Sequence, residues 1–233
     1  ITIGAFGQGS KLNKADKKYD KYSYIDAIEI YEKVAEKGYK SVEIFEKLGN
    51  AYYFNGELNK ASKWYGELFA LNQEVDPEYY FRYSQSLKSI GEYTKANEML
   101  EKFHQKKGGD SRGEKYESQK NYLEIIEENS GRYVVENAGI INSKFSDYGS
   151  AIIGDQLVFA SARDTGGLSS RKHEWTNQSF TNLYGSKIKG DGNLEKPEKF
   201  SKALNSKFHE STPIFTKDGQ TMYFTRNNYT DGK

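Results

Sequence analysis

The sequence predicts a chain in two parts, helical first and β second: an α-solenoid of stacked helix pairs, then the start of a β-propeller. Three observations carry this. Ala27, Ala61 and Ala96 recur 34 and 35 residues apart, each inside an amphipathic run. After Gly131 the apolar period shortens from that of a helix to that of a strand. Asn142-Ser143-Lys144-Phe145 returns 63 residues later as Asn205-Ser206-Lys207-Phe208.

Composition narrows the function classes. At 233 residues the chain has room for one large domain or two small ones. Thirty-four basic residues balance 33 acidic ones, so the basic excess of a nucleic-acid binder is missing. No cysteine is present, which excludes disulfides, thiolate metal sites, cysteine catalysis and a lipid anchor on cysteine. No apolar run is long enough to cross a membrane. The many amphipathic aromatics, 19 Tyr and 13 Phe, suit a binding or extracytoplasmic protein. Ala5-Phe6-Gly7 fits the small-x-small rule of signal-peptidase cleavage, so residues 1–7 are read as the tail of an export signal, with Gln8 as the mature start.

The helices follow in order. Residues 10–36 hold a polar helix and then a more regular one carrying Ile25, Ala27, Ile28, Tyr31, Val34 and Ala35, stopped by Gly38. A third, from Ser41 to Asn55, carries Val42, Phe45, Leu48, Ala51 and Tyr52. A fourth, from Asn59 to Leu71, turns Ala61, Trp64, Tyr65, Leu68 and Phe69 inward. Asp76-Pro77 opens the fifth, since proline suits a first helical turn. Gly91 separates it from the sixth, which carries Tyr93, Ala96, Met99, Leu100 and Phe103. After the break at 106–110, a seventh helix from Arg112 to Glu128 is expected to cap the stack.

These helices share one register. Tyr31, Tyr65 and Leu100 keep phase with the three alanines, and Gly56 and Gly91 each precede a second helix. Over residues 10–105 the pattern resembles tetratricopeptide repeats, with the first unit departing where Lys14-Ala15 replaces Leu48-Gly49. The resemblance implies a concave face lined by the first helix of each unit. Its ligand positions fall on Asn50, Tyr53 and Phe54 in the second unit, on Phe81, Arg82, Gln85 and Lys88 in the third, and on Asp16 and Tyr19 in the first. Amide, tyrosine and lysine side chains there are expected to hold a peptide by its backbone and carboxylates.

In the second half the expected strands are Arg132–Val135, Ser150–Ile153, Leu157–Ser161, Asn182–Lys189, Lys199–Ser201, Thr212–Thr216 and Met222–Arg226, with Asp191-Gly192 and Asp218-Gly219 as turns. Four strands separate the two Asn-Ser-Lys-Phe copies, the size of a propeller blade. The segment from Glu210 through Pro213, Asp218-Gly219 and Met222-Tyr223-Phe224-Thr225 resembles the TolB-like propeller repeat. Residues 132–233 are therefore expected to hold a first blade and part of a second, the remainder of the ring lying beyond Lys233.

Chemistry is sparse. His104, His173 and His209 stand apart without ligand spacing, so no metal site is expected. No nucleophile elbow or phosphate loop is present, and Asp191-Gly192-Asn193 lacks the later ligands of a calcium loop. No catalytic residue and no cofactor are expected. The long polar stretch Asp164–Ser179 places Trp175 beside Arg171-Lys172-His173, a candidate contact point.

The order of export signal, helical repeats and propeller resembles the OmpA-family envelope proteins of Bacteroidota linked to type IX secretion and gliding motility. That resemblance covers nearly the whole chain. It implies a periplasmic, non-enzymatic scaffold associated with the outer membrane, whose partner is an outer-membrane or secretion-machinery protein. Peptidoglycan would be held by a domain after Lys233. The alternative is a propeller that gates a serine peptidase domain encoded after Lys233.

Overall fold

The computed structural model describes residues 3–163 and 172–227 of the chain, the side chains from Gly9 onward. The order is eight helices followed by antiparallel sheets, with no closed barrel among the described residues. The chain divides into two compact units. One runs to Arg132 and takes in Glu174–Thr176; the other begins at Tyr133.

The helical unit is built of hairpins: α1 (Ile3–Tyr19) with α2 (Tyr24–Ala35), α3 (Val42–Phe54) with α4 (Leu58–Ala70), and α5 (Pro77–Lys88) with α6 (Tyr93–Lys106). Residues 3–7, read as an export-signal tail, have helical backbone within α1. The Ser41 hydroxyl caps α3 and the Asp76 carboxylate caps α5, where Pro77 sits at the start. The register seen in sequence is the packing register. Ala27, Ala61 and Ala96 are fully buried, as are the small residues Ala15, Gly49 and Ser84 on the first helices. Gly49 lies under the Tyr65 ring: a Cβ built there would stand 2.3 Å from Cε1. Tyr31, Tyr65, Phe45, Leu48, Leu68 and Phe103 fill the space between helices.

The capping helix is not one rod. It breaks into α7 (Ser111–Ser118) and α8 (Tyr122–Glu128) across Gln119–Asn121. Tyr116 is buried, and the Tyr122 hydroxyl donates to Asn97 Oδ1 at 3.1 Å. Six residues apart on a straight helix the two rings would sit roughly 120° from each other, so turning both inward needs the break. Leu123, Ile125 and Ile126, the apolar residues of α8, are exposed.

In the second unit the expected strand at Arg132–Val135 is absent. These residues have no strand partner, and Tyr133, Val134 and Val135 are 84%, 87% and 91% exposed. Strand geometry needs a neighbour to take its backbone groups, which β propensity alone does not provide. The other strands form: β1 (Asp147–Ile153), β2 (Gln156–Ser161), β3 (Asn182–Lys187) and β4 (Glu198–Lys199) make an antiparallel meander in that order. The long third strand stops at Lys187 because the chain turns at Asp191-Gly192, where Asp191 caps Asn193 N at 2.9 Å. β5 (Glu210–Phe215) and β6 (Met222–Arg226) form a separate two-stranded sheet closed by the Asp218-Gly219 turn.

The 63-residue repeat is a repeat of interactions. Asp147 accepts from Ser143 N at 2.6 Å, Ser143 Oγ at 2.8 Å, Ser161 Oγ at 2.5 Å and Arg163 at 2.9 Å. Glu210 accepts from Ser206 N at 3.2 Å, Ser206 Oγ at 2.5 Å and Arg226 Nε at 3.0 Å. Arg163 also donates to the Ile141 carbonyl and Arg226 to that of Leu204. Every partner on this list except Ser161 has its counterpart 63 positions away. The Asn-Ser-Lys-Phe motif is thus a turn that delivers serine to the carboxylate opening the first strand of each copy, and an arginine at the end of the second strand completes the node.

Both copies bulge at the same place, between Tyr148 and Ala151 and between Ser211 and Ile214. The bulge residue is Gly149 (φ +63°) in the first copy and Thr212 (φ +51°) in the second. A β-branched residue is strained in this left-handed region. Thr212→Gly is expected to stabilise the second unit by about 0.5–1 kcal/mol once the larger unfolded-state entropy of glycine is subtracted, read as a higher urea midpoint. A lower midpoint would show that the threonine is held there by something other than the bulge.

Candidate functional site

The register positions named from sequence do not share one fate. Asp16, Asn50 and Gln85 occupy equivalent places on α1, α3 and α5, spaced 34 and 35 residues apart. Facing them on the second helices are Tyr31, Tyr65 and Leu100. Tyr31 donates its hydroxyl to Asp16 at 2.5 Å, and Tyr65 donates to Asn50 at 2.8 Å. Lys47 also reaches Asp16 at 2.7 Å, and Arg82 reaches Asn50 at 2.7 Å. Asn50 is buried and its amide nitrogen points at Tyr79 Oη, 3.4 Å away. Asp16, Asn50 and Arg82 therefore tie the helices together, Asn50 buried and Asp16 and Arg82 half-buried.

The aromatic positions are likewise drawn into the stack. Tyr19 packs against Tyr24 and Tyr31, with ring centroids 5.2 and 6.5 Å away. Tyr53 neighbours Tyr65 and Phe54. Phe54 keeps an open face and receives the Arg82 guanidinium 5.0 Å from its centroid. Trp175 belongs with the helical unit, where its indole stacks on Tyr22 at 5.7 Å and meets Tyr24 edge-on at 5.0 Å. Half-buried in this cluster, it is an aromatic packing residue; Arg171, which precedes it in the same polar stretch, lies outside the described residues.

What remains open is the third position of the series. Leu100 has no hydroxyl to offer, and among the described residues Gln85 makes a 3.3 Å bond to its neighbour Ser84. Gln85, Phe81 and Lys88 of α5, Leu100 of α6, and Arg112, Lys115, Tyr116, Gln119 and Tyr122 of α7 and its continuation line a cavity of about 380 Å³. This is within the range of small-ligand and side-chain pockets. Neither a protein-family model nor a curated protein matches this chain. The cavity is therefore judged on its own chemistry.

Its walls are unequal. Arg112 is fully engaged: it meets Glu78 in a bidentate pair at 2.9 and 2.8 Å and Asp110 at 3.0 Å. Those bonds hold the Glu78 carboxyl below its ordinary value, against the opposing effect of burial. Lys88 is different. Its ammonium lies 3.9 Å from the Tyr122 ring centroid, and burial pushes its pKa down. Sequence analysis named Phe81, Gln85 and Lys88 but missed the α7 residues, because that helix was read only as a lid. The readable signal was there: Arg112, Lys115, Tyr116 and Gln119 recur at three- and four-residue spacing on one helical face.

The histidines set apart in sequence are not all apart in space. His173 and His209 have ring centroids 5.0 Å from each other, and Phe180 lies 4.6 Å from His209. Burial, then His173, lowers the His209 pKa. His209 Nδ1 accepts from Thr181 N at 3.1 Å, so that nitrogen is occupied. Among the described residues no three His, Asp or Glu side chains gather to hold a metal ion.

Proposed function

We propose that this chain is the amino-terminal part of a non-enzymatic periplasmic scaffold, a tetratricopeptide-type solenoid followed by the first blades of a TolB-like propeller. The solenoid docks an outer-membrane or secretion-machinery protein, and the propeller adds a second binding face. A later domain of the same protein would tether the assembly to peptidoglycan, as in the envelope family it resembles. The observation that supports the solenoid most directly is the buried register of small and large residues repeating at 34 and 35 residues. The interaction node repeating at 63 residues supports the blade reading. No helix among the described residues is long and apolar enough to cross a membrane, which fits a partner-held protein.

The test is co-purification from cell envelopes of a tagged full-length protein and of a variant lacking residues 10–130. The deletion is expected to lose its outer-membrane partner while peptidoglycan sedimentation persists. Retention of the whole complex without the helical unit sinks the docking role assigned to it.

A further inference from the structure

We propose that His209, set against His173, is a proton-operated latch on the seam between β3 and β5: protonation of His209 loosens the β5–β6 hairpin from the four-stranded sheet. Three observations lead there.

The first is how the seam is made. Thr181, just before β3, is buried, and both of its backbone groups are taken where β5 begins. Its carbonyl accepts from Glu210 N at 2.9 Å, and its N–H donates to His209 Nδ1 at 3.1 Å. Two residues on, the Asn205 side chain brackets Leu183, accepting from its N at 2.8 Å and donating to its carbonyl at 3.0 Å. Of the groups making these four bonds, only the imidazole titrates near neutral pH. A backbone N–H can only donate, so Nδ1 is bare in the folded chain and the neutral ring carries its proton on Nε2. A proton on Nδ1 displaces the Thr181 N–H and turns toward Thr181 Oγ1, 3.0 Å away. A buried backbone donor then loses its acceptor, which folded chains rarely tolerate.

The second is the repeat. Sixty-three positions earlier the place of His209 is held by Ser146. Its N–H and its hydroxyl both donate to Gln178 Oε1, at 3.2 and 3.1 Å. Neither side chain titrates. The first copy of the motif closes with neutral groups, and the second closes with an imidazole.

The third is what surrounds the ring. His209 is half-buried between Phe180, 4.6 Å away between centroids, and His173, 5.0 Å away and edge-on. The titratable groups acting on it are His173, from the segment ahead of β3, and Glu210, on β5. Glu210 favours the charged ring, but it is already held by Ser206 and by Arg226 of β6. Burial, with His173 next, outweighs it and lowers the His209 pKa from 6.5. The folded chain therefore binds this proton less readily than the unfolded chain. The stabilisation is present above pH 6.5 and is lost as pH falls below that value, whereas the loss from Asp147 begins only below 3.8.

The experiment follows hydrogen exchange of the full chain by mass spectrometry between about pH 7.5 and 5, the range that brackets an ordinary histidine, with rates corrected for the intrinsic pH dependence of exchange. Protection of residues 179–183 and 208–215 is expected to fall at least about fivefold across that range, the scale of one orphaned buried donor, while that of α3 and α4 holds. His209→Asn, whose Oδ1 is placed to take the Thr181 N–H and does not titrate, is expected to abolish the fall. His173→Gln removes one of the influences that lower the His209 pKa. It is expected to move both the fall and the imidazole titration of His209, read by NMR, to higher pH. A fall shared equally by the helices, a fall that persists in His209→Asn, or a His209 that titrates at or above 6.5 overturns the proposal. So does an unmoved titration in His173→Gln. If His209→Asn does not fold, the exchange of the parent and the shift in His173→Gln still decide.

Discussion

Gly49→Ala is expected to destabilise the helical unit by about 2–3 kcal/mol, at the high end for overpacking because the added atom meets a rigid ring. The introduced Cβ would lie 2.3 Å from Tyr65 Cε1 and 2.5 Å from Cδ1. The ring has nowhere to go: Tyr65 is fully buried and its hydroxyl is held by Asn50. The helix axes must move apart, which loosens the contacts around Leu48, Ala51 and Ala61. Urea denaturation followed by far-UV circular dichroism measures the loss. A second variant isolates the cause. Tyr65→Leu copies the third hairpin, where Leu100 keeps phase with Tyr65. Combined with Gly49→Ala it is expected to cost clearly less than the two single changes summed, a coupling that only direct contact produces. Additive effects would place the Tyr65 ring elsewhere.

The second large effect lies in the sheet unit. Arg163→Met removes the cation of a largely buried node and leaves Asp147 charged between Ser143 and Ser161. Breaking a buried pair by deleting one partner costs about 3–5 kcal/mol. With both side chains slightly open to solvent, at 15% and 13%, the lower end of that range is expected. The Ile141 carbonyl loses a donor as well. Acid response gives an independent reading. Burial alone would raise the Asp147 pKa, but the hydrogen bonds from Ser161, Arg163 and Ser143 outweigh it and hold it below 3.8. A depressed folded-state value means this group stabilises the unit above pH 3.8, and the contribution disappears as pH falls below that value. In Arg163→Met the depression shrinks, so less stability is lost on acidification than in the parent. Near-UV circular dichroism of the two proteins between pH 6 and 3 tests this, and parallel curves would mean that Arg163 does not govern Asp147.

Much of this architecture was legible before any coordinate. The boundaries of α3, α4, α5 and α6 fall within a residue or two of expectation, because Gly56, Pro77 and Gly91 are local signals whose effect does not depend on distant neighbours. The strands at Leu157, Asn182 and Met222 were equally readable from β-branched and aromatic runs between turns. The Asn-Ser-Lys-Phe repeat was visible as letters, but its purpose was not. That required seeing Ser143 and Ser206 meet a carboxylate four residues on and Arg163 and Arg226 arrive from the second strand.

The candidate site shows the boundary most clearly. Periodicity alone determined that Asp16, Asn50 and Gln85 share one helical face, and that Tyr19, Tyr53 and Lys88 share the next. It did not determine which of them were free, because a polar side chain's partner is chosen by packing. Tyr65 reaches Asn50 across 15 positions and Arg82 reaches it across 32. Only the tertiary structure decided that the first two hairpins satisfy themselves. It also decided that the third, with Leu100 in place of tyrosine and α7 folded against α6, leaves a cavity lined by Gln85 and Lys88. Residue type and spacing say which face a group occupies; whether it is available depends on what the rest of the chain places opposite it.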